Sequence, residues 1–307
     1  MTPYQRLEKY LDSQAALGAL TYEKDAPLSR FCTFKIGGIC TYAIFPQSAD
    51  ALCALLDFLR GESKIRTLVF GNGSNVLFCD EGIDGCVIFT TRLKNIGMKD
   101  GCIFAESGVT LTELSRFAQK QGLCGMEFLC GIPGNVGGGI YMNAGAYEHS
   151  ISEVLVRSMY YDRADGKVRE LPLEAHDYAH RHSVYMENGG VILGGCFNAE
   201  KTDDPDAVKA LMEDHLRTRS EKQPLEYPSA GSVFKRYPGY YTSKLIDEAG
   251  LKGEYVGGAQ VSEKHAGFII NRGGATAKDV LDLVRLVQDK IFENHGIHIE
   301  CEIRYVK

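Results

Sequence analysis

The sequence predicts an α+β fold in which helices and short strands alternate along the chain. Apolar residues recur at the spacing of an amphipathic helix in several segments, most clearly at 48–60 and 276–295. Short apolar, β-branched runs such as those at 65–70 and 85–89 are bounded by glycine, aspartate or asparagine, which is typical of strands. No repeat with a period of about 20 to 50 residues occurs, so solenoids and propellers are excluded.

Length and composition set the broad class. The chain has 307 residues, which favours two domains or one divided domain, because single cores rarely grow beyond about 250 to 300 residues. A formal net charge of -6 with 24% charged residues is ordinary for a globular protein and gives no basis for a nucleic-acid partner. The sequence shows neither a signal-peptide pattern nor a run of about 18 apolar residues. We therefore expect a cytoplasmic protein that does not enter the membrane.

Neither the cysteines nor the histidines predict a metal site. The ten cysteines are spaced irregularly in a long chain, which favours free, buried thiols over a disulfide framework. Cys124 and Cys130 have no matching second pair, and the histidines at 176, 180 and 182 lack the acidic pattern of zinc proteases. We expect no metal.

The first elements are a helix and a strand that leads into a glycine segment. Residues 48–60 predict a helix with Ser48 as its N-cap. Residues 65–70 predict a strand, which ends at the sequence GNGSN. Further strands are predicted at 85–89 and 101–108.

The remaining elements end in a charged segment, a long helix and a last strand. A helix is predicted to begin at Thr110, with Glu113 completing a capping box, and the glycine-dense segment 131–145 is predicted to be a loop. Prolines and a charged helix after residue 203 predict a domain boundary there. A capping box at Thr276 predicts the last helix, and alternation in IHIECEIRYV predicts a final strand.

Both glycine segments are candidates for ligand binding. The backbone N–H groups of residues 71–75 can converge on an anion, although a plain turn is the alternative, and the segment matches neither the P-loop nor the Rossmann pattern. Residues 131–145 could wrap an extended ligand, with Asn135 and Asn143 offering amide groups, although close packing is the alternative. Two such segments together favour a dinucleotide.

Seven segments in this order resemble the motif series of the UDP-N-acetylenolpyruvoylglucosamine reductase (MurB) family, in its shorter second type. They are FKIGG (34–38), GNGSNVL (71–77), GIPGNVGGGIYMNAGAY (131–147), PSAGSVFK (228–235), LIDEAGLKG (245–253), GGAQVSEKHAGFIIN (257–271) and the terminal IECEIRYV. The series spans nearly the whole chain. The resemblance implies an NADPH-dependent flavoenzyme that reduces UDP-N-acetylenolpyruvoylglucosamine to UDP-N-acetylmuramate for peptidoglycan synthesis, and ping-pong kinetics.

The resemblance also implies a domain plan and a cofactor site. It predicts an FAD-binding domain of the vanillyl-alcohol-oxidase/p-cresol-methylhydroxylase (PCMH) type over 20–202, with subdomains 20–64 and 65–202, and a substrate-binding domain over 203–307. The first histidine is His149, so no histidine near the early loops is available for a covalent link, and we expect non-covalent FAD. The implied cofactor-binding residues are Gly71, Asn72, Gly73, Ser74, Asn75, Gly131, Ile132, Pro133, Gly134, Asn135, Gly137, Gly138, Asn143, Gly145 and Ala146.

Three residues align with the family's catalytic groups. Ser232 corresponds to the proton donor and Arg181 to the arginine that faces the substrate carboxylate. Glu302 corresponds to the catalytic glutamate, but Glu300 lies on the same face of an alternating strand and stays an alternative. His180 replaces the family's usual tyrosine before the arginine.

Some expectations remain open at this stage. Tyr237 departs from the usual sequence after Ser232, so the residues that hold the UDP diphosphate are left unassigned. A flavin oxidase of the same superfamily is the rival enzyme, and a nucleotide-sugar-binding protein on a degenerate scaffold is the rival non-enzyme. The absent early histidine argues against the first, and the presence of all three catalytic types argues against the second. The sequence does not determine the oligomeric state, and a monomer is the working expectation.

Overall fold

The computed structural model describes residues 1–237 and 239–307, which form two compact units. Unit 1 comprises Met1–Lys24, Tyr42–Asn72 and Gly85–Arg217, and unit 2 comprises Asp25–Thr41, Gly73–Asp84 and Thr218–Lys307. These units are defined by contacts within the fold. The predicted domain and subdomain limits stay predictions.

The α-helices follow the chain in eight segments of the described residues. They are α1 Pro3–Ala16, α2 Ala49–Arg60, α3 Leu111–Lys120, α4 Val136–Met142, α5 Tyr185–Asn188, α6 Pro205–Lys222, α7 Thr242–Glu248 and α8 Ala277–His295. In the part of the chain that the structure describes, no helix has the length and apolar character needed to cross a membrane.

The strands are short and alternate with these helices. They are β1 Leu20–Pro27, β2 Ile39–Pro46, β3 Thr67–Phe70, β4 Val76–Phe78, β5 Ile83–Phe89, β6 Ile96–Lys99, β7 Cys102–Glu106, β8 Leu123–Cys124, β9 Gly145–Ala146, β10 His149–Ser150, β11 Leu155–Asp162, β12 Lys167–Pro172, β13 Val191–Phe197, β14 Glu200–Lys201, β15 Ser229–Ser232, β16 Tyr255–Val256, β17 Ala259–Val261, β18 Phe268–Asn271 and β19 Arg304–Val306.

Unit 1 contains an antiparallel five-stranded sheet of order β12-β11-β13-β7-β6. A second sheet has the order β1-β2-β5-β3, in which β3 and β5 are parallel. One core of unit 1 gathers apolar side chains from α3, α4 and the five-stranded sheet, and another gathers them from α1, α2 and the second sheet. The mixed helix and strand content confirms the predicted α+β class.

Unit 2 is built around an antiparallel sheet of order β15-β18-β17-β16, against which α8 packs. The apolar stripe predicted for this helix is buried: Val280, Leu283, Val284, Val287 and Ile291 are all nearly inaccessible. Strand β19 pairs in parallel with β4, so the end of the chain returns to the segment that follows the first glycine loop.

Three predicted helix starts are confirmed by their caps. The Ser48 hydroxyl accepts a hydrogen bond from the Ala51 amide at 3.1 Å, and Thr110 with Glu113 forms a reciprocal capping box. Thr276 forms the same box at α8, and Gly296 ends that helix in the left-handed conformation. These local signals were strong because each side chain satisfies an amide that the helix itself leaves without a partner.

The prediction that residues 131–145 form only a loop is wrong, because α4 occupies the middle of this segment. Glycine disfavours helix through its backbone entropy, but close packing outweighs that cost here. A Cβ atom added at Gly137 would lie 2.8 Å from the Ser107 Cβ, and one added at Gly139 would lie 2.6 Å from the Ile151 side chain. The glycines allow this helix to lie closer to its neighbours than one with side chains could.

The predicted final strand is shorter than its alternating pattern. Only Arg304–Val306 forms a regular strand, and Cys301 makes an isolated bridge to Phe234. The chain near Cys301 is held instead by two separate backbone bonds, from the Lys235 amide to the Glu300 carbonyl and from the Glu302 amide to the Val233 carbonyl. Alternation in sequence therefore marked an extended segment but not a continuous ladder.

The FKIGG motif acts in packing within unit 2. Its last glycine, Gly38, donates its amide to the Cys79 carbonyl at 2.9 Å. A Cβ atom added at Gly38 would lie 2.3 Å from the Asp80 carbonyl oxygen and 2.5 Å from the Gly82 nitrogen. Both obstacles are backbone atoms, so a larger residue could be accepted only if the chain moved.

Gly38→Ala should destabilise the protein by about 1 to 3 kcal/mol, the usual cost of overpacking. Gly97→Ala is the matched control, because Gly97 has no positive φ and none of the described residues has an atom within 4 Å of its added Cβ. That control should be neutral or slightly stabilising, since alanine reduces the entropy of the unfolded chain. Urea unfolding of both variants measures the difference, and equal stabilities would contradict the packing role of Gly38.

Candidate active site

The first glycine segment meets the second through Asn135 in unit 1. The buried Asn135 side chain accepts a hydrogen bond from the Asn72 amide at 2.8 Å and donates one to the Gly108 carbonyl at 2.7 Å. The Asn72 side chain in turn donates to the Pro133 carbonyl at 3.0 Å. The buried side-chain amide of Asn135 therefore sets the distance between the two glycine segments.

The accessible residues in the first turn of α4 are glycines, because its first residue, Val136, is buried. Asn135 is the N-cap residue, but its side chain makes no capping bond, since it is engaged with Asn72 and Gly108. In the first turn Gly138 is exposed, and no atom of residues 1–237 or 239–307 lies within 4 Å of a Cβ added there. A backbone surface of this kind lets a flat or phosphorylated cofactor approach the chain closely, so these residues fit the FAD that the resemblance implies.

Two carbonyl groups at the end of α4 orient Arg181. The Arg181 guanidinium donates to the carbonyl oxygens of Asn143 and Gly145, each at 3.3 Å. Asn143 is the left-handed C-cap of α4, and its side chain donates to the Ala179 carbonyl and accepts from the Ser152 amide. The predicted catalytic arginine thus lies beside predicted cofactor-binding residues within unit 1.

In unit 2 the end of the first glycine segment contacts the segment of Glu302. The Asn75 side chain donates to the Glu302 carbonyl at 3.2 Å, and the Arg304 amide donates to the Asn75 carbonyl at 3.0 Å. The Glu302 amide donates to the carbonyl of Val233 at 2.7 Å, directly after Ser232. Hydrogen bonds therefore connect Asn75, the chain at Ser232 and Glu302.

The local geometry of Ser232 is irregular. It ends β15, whose register with β18 shifts between Ser229 and Ser232, and Gly231 between them has a φ of +76°. The half-buried hydroxyl of Ser232 donates to the Phe234 carbonyl at 3.3 Å. A hydroxyl that is held by one long hydrogen bond can turn toward a substrate at little cost in free energy.

Glu300 and Glu302 have different surroundings. The Glu300 carboxylate pairs with the Lys235 ammonium at 2.8 Å, and this hydrogen bond holds the pKa of Glu300 below its usual range. The Glu300 side chain is 73% exposed. Glu302 is half-buried, and its backbone is fixed on both sides. Glu300 therefore lies in a solvated surface ion pair, and Glu302 is the better candidate.

Comparisons with known proteins identify the family. Residues 41–172 match the model of an FAD binding domain, and residues 223–306 match the C-terminal domain of UDP-N-acetylenolpyruvoylglucosamine reductase. The reductase of that name from Clostridium novyi is 40% identical over 302 residues, which cover 98% of this chain and 95% of the relative. The chain belongs to the MurB family.

Other MurB proteins agree with this membership. The reductase from Clostridium botulinum strain Hall is 43% identical over 92% of this chain and 91% of its own length. The crystal structure of the enzyme from Thermus caldophilus has a TM-score of 0.78 at 30% identity and covers 94% of this chain and 100% of the other. The predicted family and the predicted fold, an FAD-binding domain followed by a MurB C-terminal domain, are confirmed.

The predicted MurB site residues are distributed over both units. Unit 1 holds Arg181 and the predicted cofactor residues at 71, 72, 131–135, 137, 138, 143, 145 and 146. Unit 2 holds Ser232 and Glu302 together with Gly73, Ser74 and Asn75. The individual roles of these residues stay predictions.

The sequence patterns do not mark Gly108 as functional, although it holds the Asn135 side chain of the predicted cofactor site. Its carbonyl accepts the Asn135 side chain, and a Cβ atom added to it would lie 2.0 Å from the Thr90 carbonyl oxygen. The available signal was a glycine placed two residues after β7 and two before the N-cap Thr110. A glycine at that position is equally typical of the end of a strand.

Asn72→Leu should weaken FAD retention. The substitution removes the bond to Pro133 and adds bulk where the two glycine segments meet. The purified variant should show a lower ratio of flavin to protein absorbance than the wild type. Asn198→Leu is the control, since Asn198 is an exposed residue of unit 1. Unchanged flavin content in Asn72→Leu would contradict the assignment of this segment to the cofactor.

Proposed function

We propose that this protein is an NADPH-dependent flavoenzyme that reduces UDP-N-acetylenolpyruvoylglucosamine to UDP-N-acetylmuramate, a step in peptidoglycan precursor synthesis. The observation that carries the proposal is the relationship over nearly the whole chain, at 40% identity across 98% of it, to a reductase of this name. Ser232, Arg181 and Glu302 supply the three kinds of side chain that the chemistry needs.

The cofactors are FAD, held without a covalent link, and NADPH. When bound, FAD would supply the hydride-transfer chemistry that links NADPH to the enolpyruvyl double bond. Asn72, Asn135 and the glycine backbone in the first turn of α4 would hold FAD by close approach, with Asn143, Gly145 and Ala146 at the other end of that helix. We assign residues 20–202 to this function and residues 203–307 to the sugar nucleotide.

Arg181 and Glu302 act on the substrate carboxylate. Negative charge grows on that group as the double bond is reduced, so a guanidinium beside it lowers the barrier. The carbonyl oxygens of Asn143 and Gly145 hold the Arg181 guanidinium and orient it. Glu302, when protonated, donates a hydrogen bond to the same carboxylate.

Ser232 supplies the proton for the neighbouring carbon. Its hydroxyl now donates to the Phe234 carbonyl, and the same hydrogen is transferred when the substrate lies against β15. A serine hydroxyl is a weak acid in water, so the cationic and hydrogen-bonding groups around the substrate have to stabilise the alkoxide that it leaves. The proton then returns from solvent.

Substrate order and location follow from the chemistry. We assign a ping-pong sequence in which the nicotinamide leaves before the enolpyruvyl sugar nucleotide enters, because both have to reach the same hydride-transferring atom. Both reactants are nucleotides of the cytoplasm, and we place the protein there. We assign a monomer as the active form.

The proposal is tested by one anaerobic spectral experiment. The purified protein should be yellow, should bleach when NADPH is added without oxygen, and should regain colour when UDP-N-acetylenolpyruvoylglucosamine is added. Colour recovery with oxygen alone, and none with the enolpyruvyl substrate, would instead indicate an oxidase. A colourless protein that takes up no FAD would exclude a flavoenzyme.

Ser232→Ala should separate the two half-reactions. Bleaching by NADPH should stay close to wild type, since the hydride reaches the flavin without a proton from this serine. Recovery of colour with the enolpyruvyl substrate should slow by about 10² to 10⁴-fold, the usual contribution of a positioned acid. Stopped-flow absorbance measures both rates.

Two further variants control this result. Ser232→Cys should recover part of the lost rate, because a thiol with a reference pKa of about 8.5 is a stronger acid than a hydroxyl. Ser220→Ala removes an exposed hydroxyl from α6 and should change neither rate. Equal slowing of both half-reactions in Ser232→Ala would contradict the proton-donor role and indicate a part in folding or flavin binding.

A further inference from the structure

Arg181 lies at the tip of a closed loop in unit 1. The Val184 amide donates to the His176 carbonyl at 2.8 Å and closes the loop at its base. Ala179 and His182 pair across it with two backbone bonds, so His180 and Arg181 form the turn at its end. The loop is therefore a small hairpin whose base begins at His176.

The base of this loop contains a buried chain of hydrogen bonds. The Ser158 hydroxyl lies 2.7 Å from His176 Nε2 and 2.6 Å from the Tyr185 hydroxyl. His176 Nδ1 lies 2.9 Å from the Pro172 carbonyl. Ser158 and His176 are fully buried and Tyr185 is 1% exposed, so these groups bond to one another and are shielded from bulk solvent.

The donors and acceptors in this series of hydrogen bonds have only one possible order while the His176 imidazole is neutral. A carbonyl oxygen only accepts, so Nδ1 of His176 carries the hydrogen that is donated to Pro172. Nε2 then accepts from the Ser158 hydroxyl, and that hydroxyl accepts from Tyr185. Burial lowers the pKa of His176, which favours the neutral ring, and raises the pKa of Tyr185, which keeps its proton.

Aromatic packing also fixes the loop at its base, around His176. The His176 ring stacks on Tyr178 at 4.9 Å with an interplanar angle of 17°, and Tyr185 meets it edge-on at 5.8 Å. Tyr178 belongs to the loop, whereas Tyr185 begins α5 and Ser158 lies on β11. The imidazole therefore joins the loop to an inner strand of the five-stranded sheet and to a helix.

The position of Arg181 depends on the fixed start of this loop at His176, because the backbone of Arg181 is itself strained. It has a φ of +57°, in the left-handed region that a side chain with a Cβ seldom occupies. Strain of this kind costs on the order of 1 to 3 kcal/mol and persists only where the surroundings over-determine the conformation. Ser183 adds to the constraint, because its hydroxyl donates to the Tyr141 carbonyl of α4 at 2.7 Å.

We infer that His176, Ser158 and Tyr185 form a positioning network that holds the loop 177–183 and thereby the Arg181 guanidinium. The inference rests on the proposed role of Arg181 toward the substrate carboxylate. All three side chains are buried, so we assign them no direct role toward the reactants. They act by keeping Arg181 in one place, and a displacement of about 1 Å in such a group can cost about 100-fold in rate.

The inference is tested by removing single hydroxyls from the network. Ser158→Ala and Tyr185→Phe should slow the oxidation of reduced flavin by the enolpyruvyl substrate about 10- to 100-fold. Bleaching by NADPH and the flavin content should stay within about twofold of wild type. Hydrogen exchange of the amides of residues 177–183 should quicken, which reports on the loop without reference to activity.

Tyr161→Phe is the matched control. Tyr161 is also a 1% exposed tyrosine of unit 1, on the same strand as Ser158, and its hydroxyl donates to Asp57 at 2.7 Å. Its loss removes a part-buried tyrosine hydrogen bond away from the loop. The control should leave both half-reactions and the exchange of residues 177–183 unchanged. If Tyr161→Phe slowed the oxidative half-reaction as much as Ser158→Ala, the network would be only structural and the inference would fail.

A double-mutant cycle separates this inference from the proposed function. In an Arg181→Ala background, Ser158→Ala should cause no further slowing of the oxidative half-reaction, because the residue that it positions is gone. Full additivity would overturn the positioning role. If Arg181→Ala alone left the oxidative half-reaction at the wild-type rate, the role of Arg181 would be wrong, and if wild-type protein did not react with the enolpyruvyl substrate, the proposed function would be wrong.

Discussion

The side-chain amide of Asn135 joins Asn72 to the second glycine segment within unit 1, and the candidate cofactor site there depends on it. The side chain uses both ends: its oxygen accepts from Asn72, and its nitrogen donates to Gly108. An added Cβ at Gly71 would lie 2.8 Å from that oxygen, so the approach also requires glycine at this position. A buried amide that lost one partner would cost about 1 to 3 kcal/mol, which makes the arrangement strongly preferred.

The same arrangement explains why α4 begins without a side-chain cap. An asparagine at this position ordinarily satisfies an amide of the first helical turn. Here its side chain serves the neighbouring segment, and the bare turn at Gly137 and Gly138 is left for a ligand. Capping patterns predicted α2, α3 and α8 correctly because those caps are local. The sequence could not predict α4, because its stability comes from close contacts with Ser107, Leu111 and Ile151 that only the tertiary fold creates.

The catalytic candidates show a similar division between local and long-range information. Ser232, Arg181 and Glu302 were predicted from motif resemblance, and no periodicity in the chain would have singled them out. Alternation left Glu300 and Glu302 equivalent, because a strand pattern gives the face and not the partner. The distinction came from Lys235, 65 residues earlier in the chain, whose ammonium pairs with Glu300. The buried network below Arg181 was hidden for the same reason, since Ser158, His176 and Tyr185 are brought together by three different elements.

The way in which Arg181 is held bears on what it can do. Its two bonds to Asn143 and Gly145 end on carbonyl oxygens at the C-terminal end of α4, where the helix carries partial negative charge. Dipoles of this kind fix the direction in which a guanidinium points, because both carbonyl oxygens are held in place near the end of the helix. An arginine that stabilises an anion formed during the reaction needs such a fixed direction, since a displaced charge stabilises that anion less. Carbonyl acceptors on one side and a strained loop with a fixed base on the other meet this requirement.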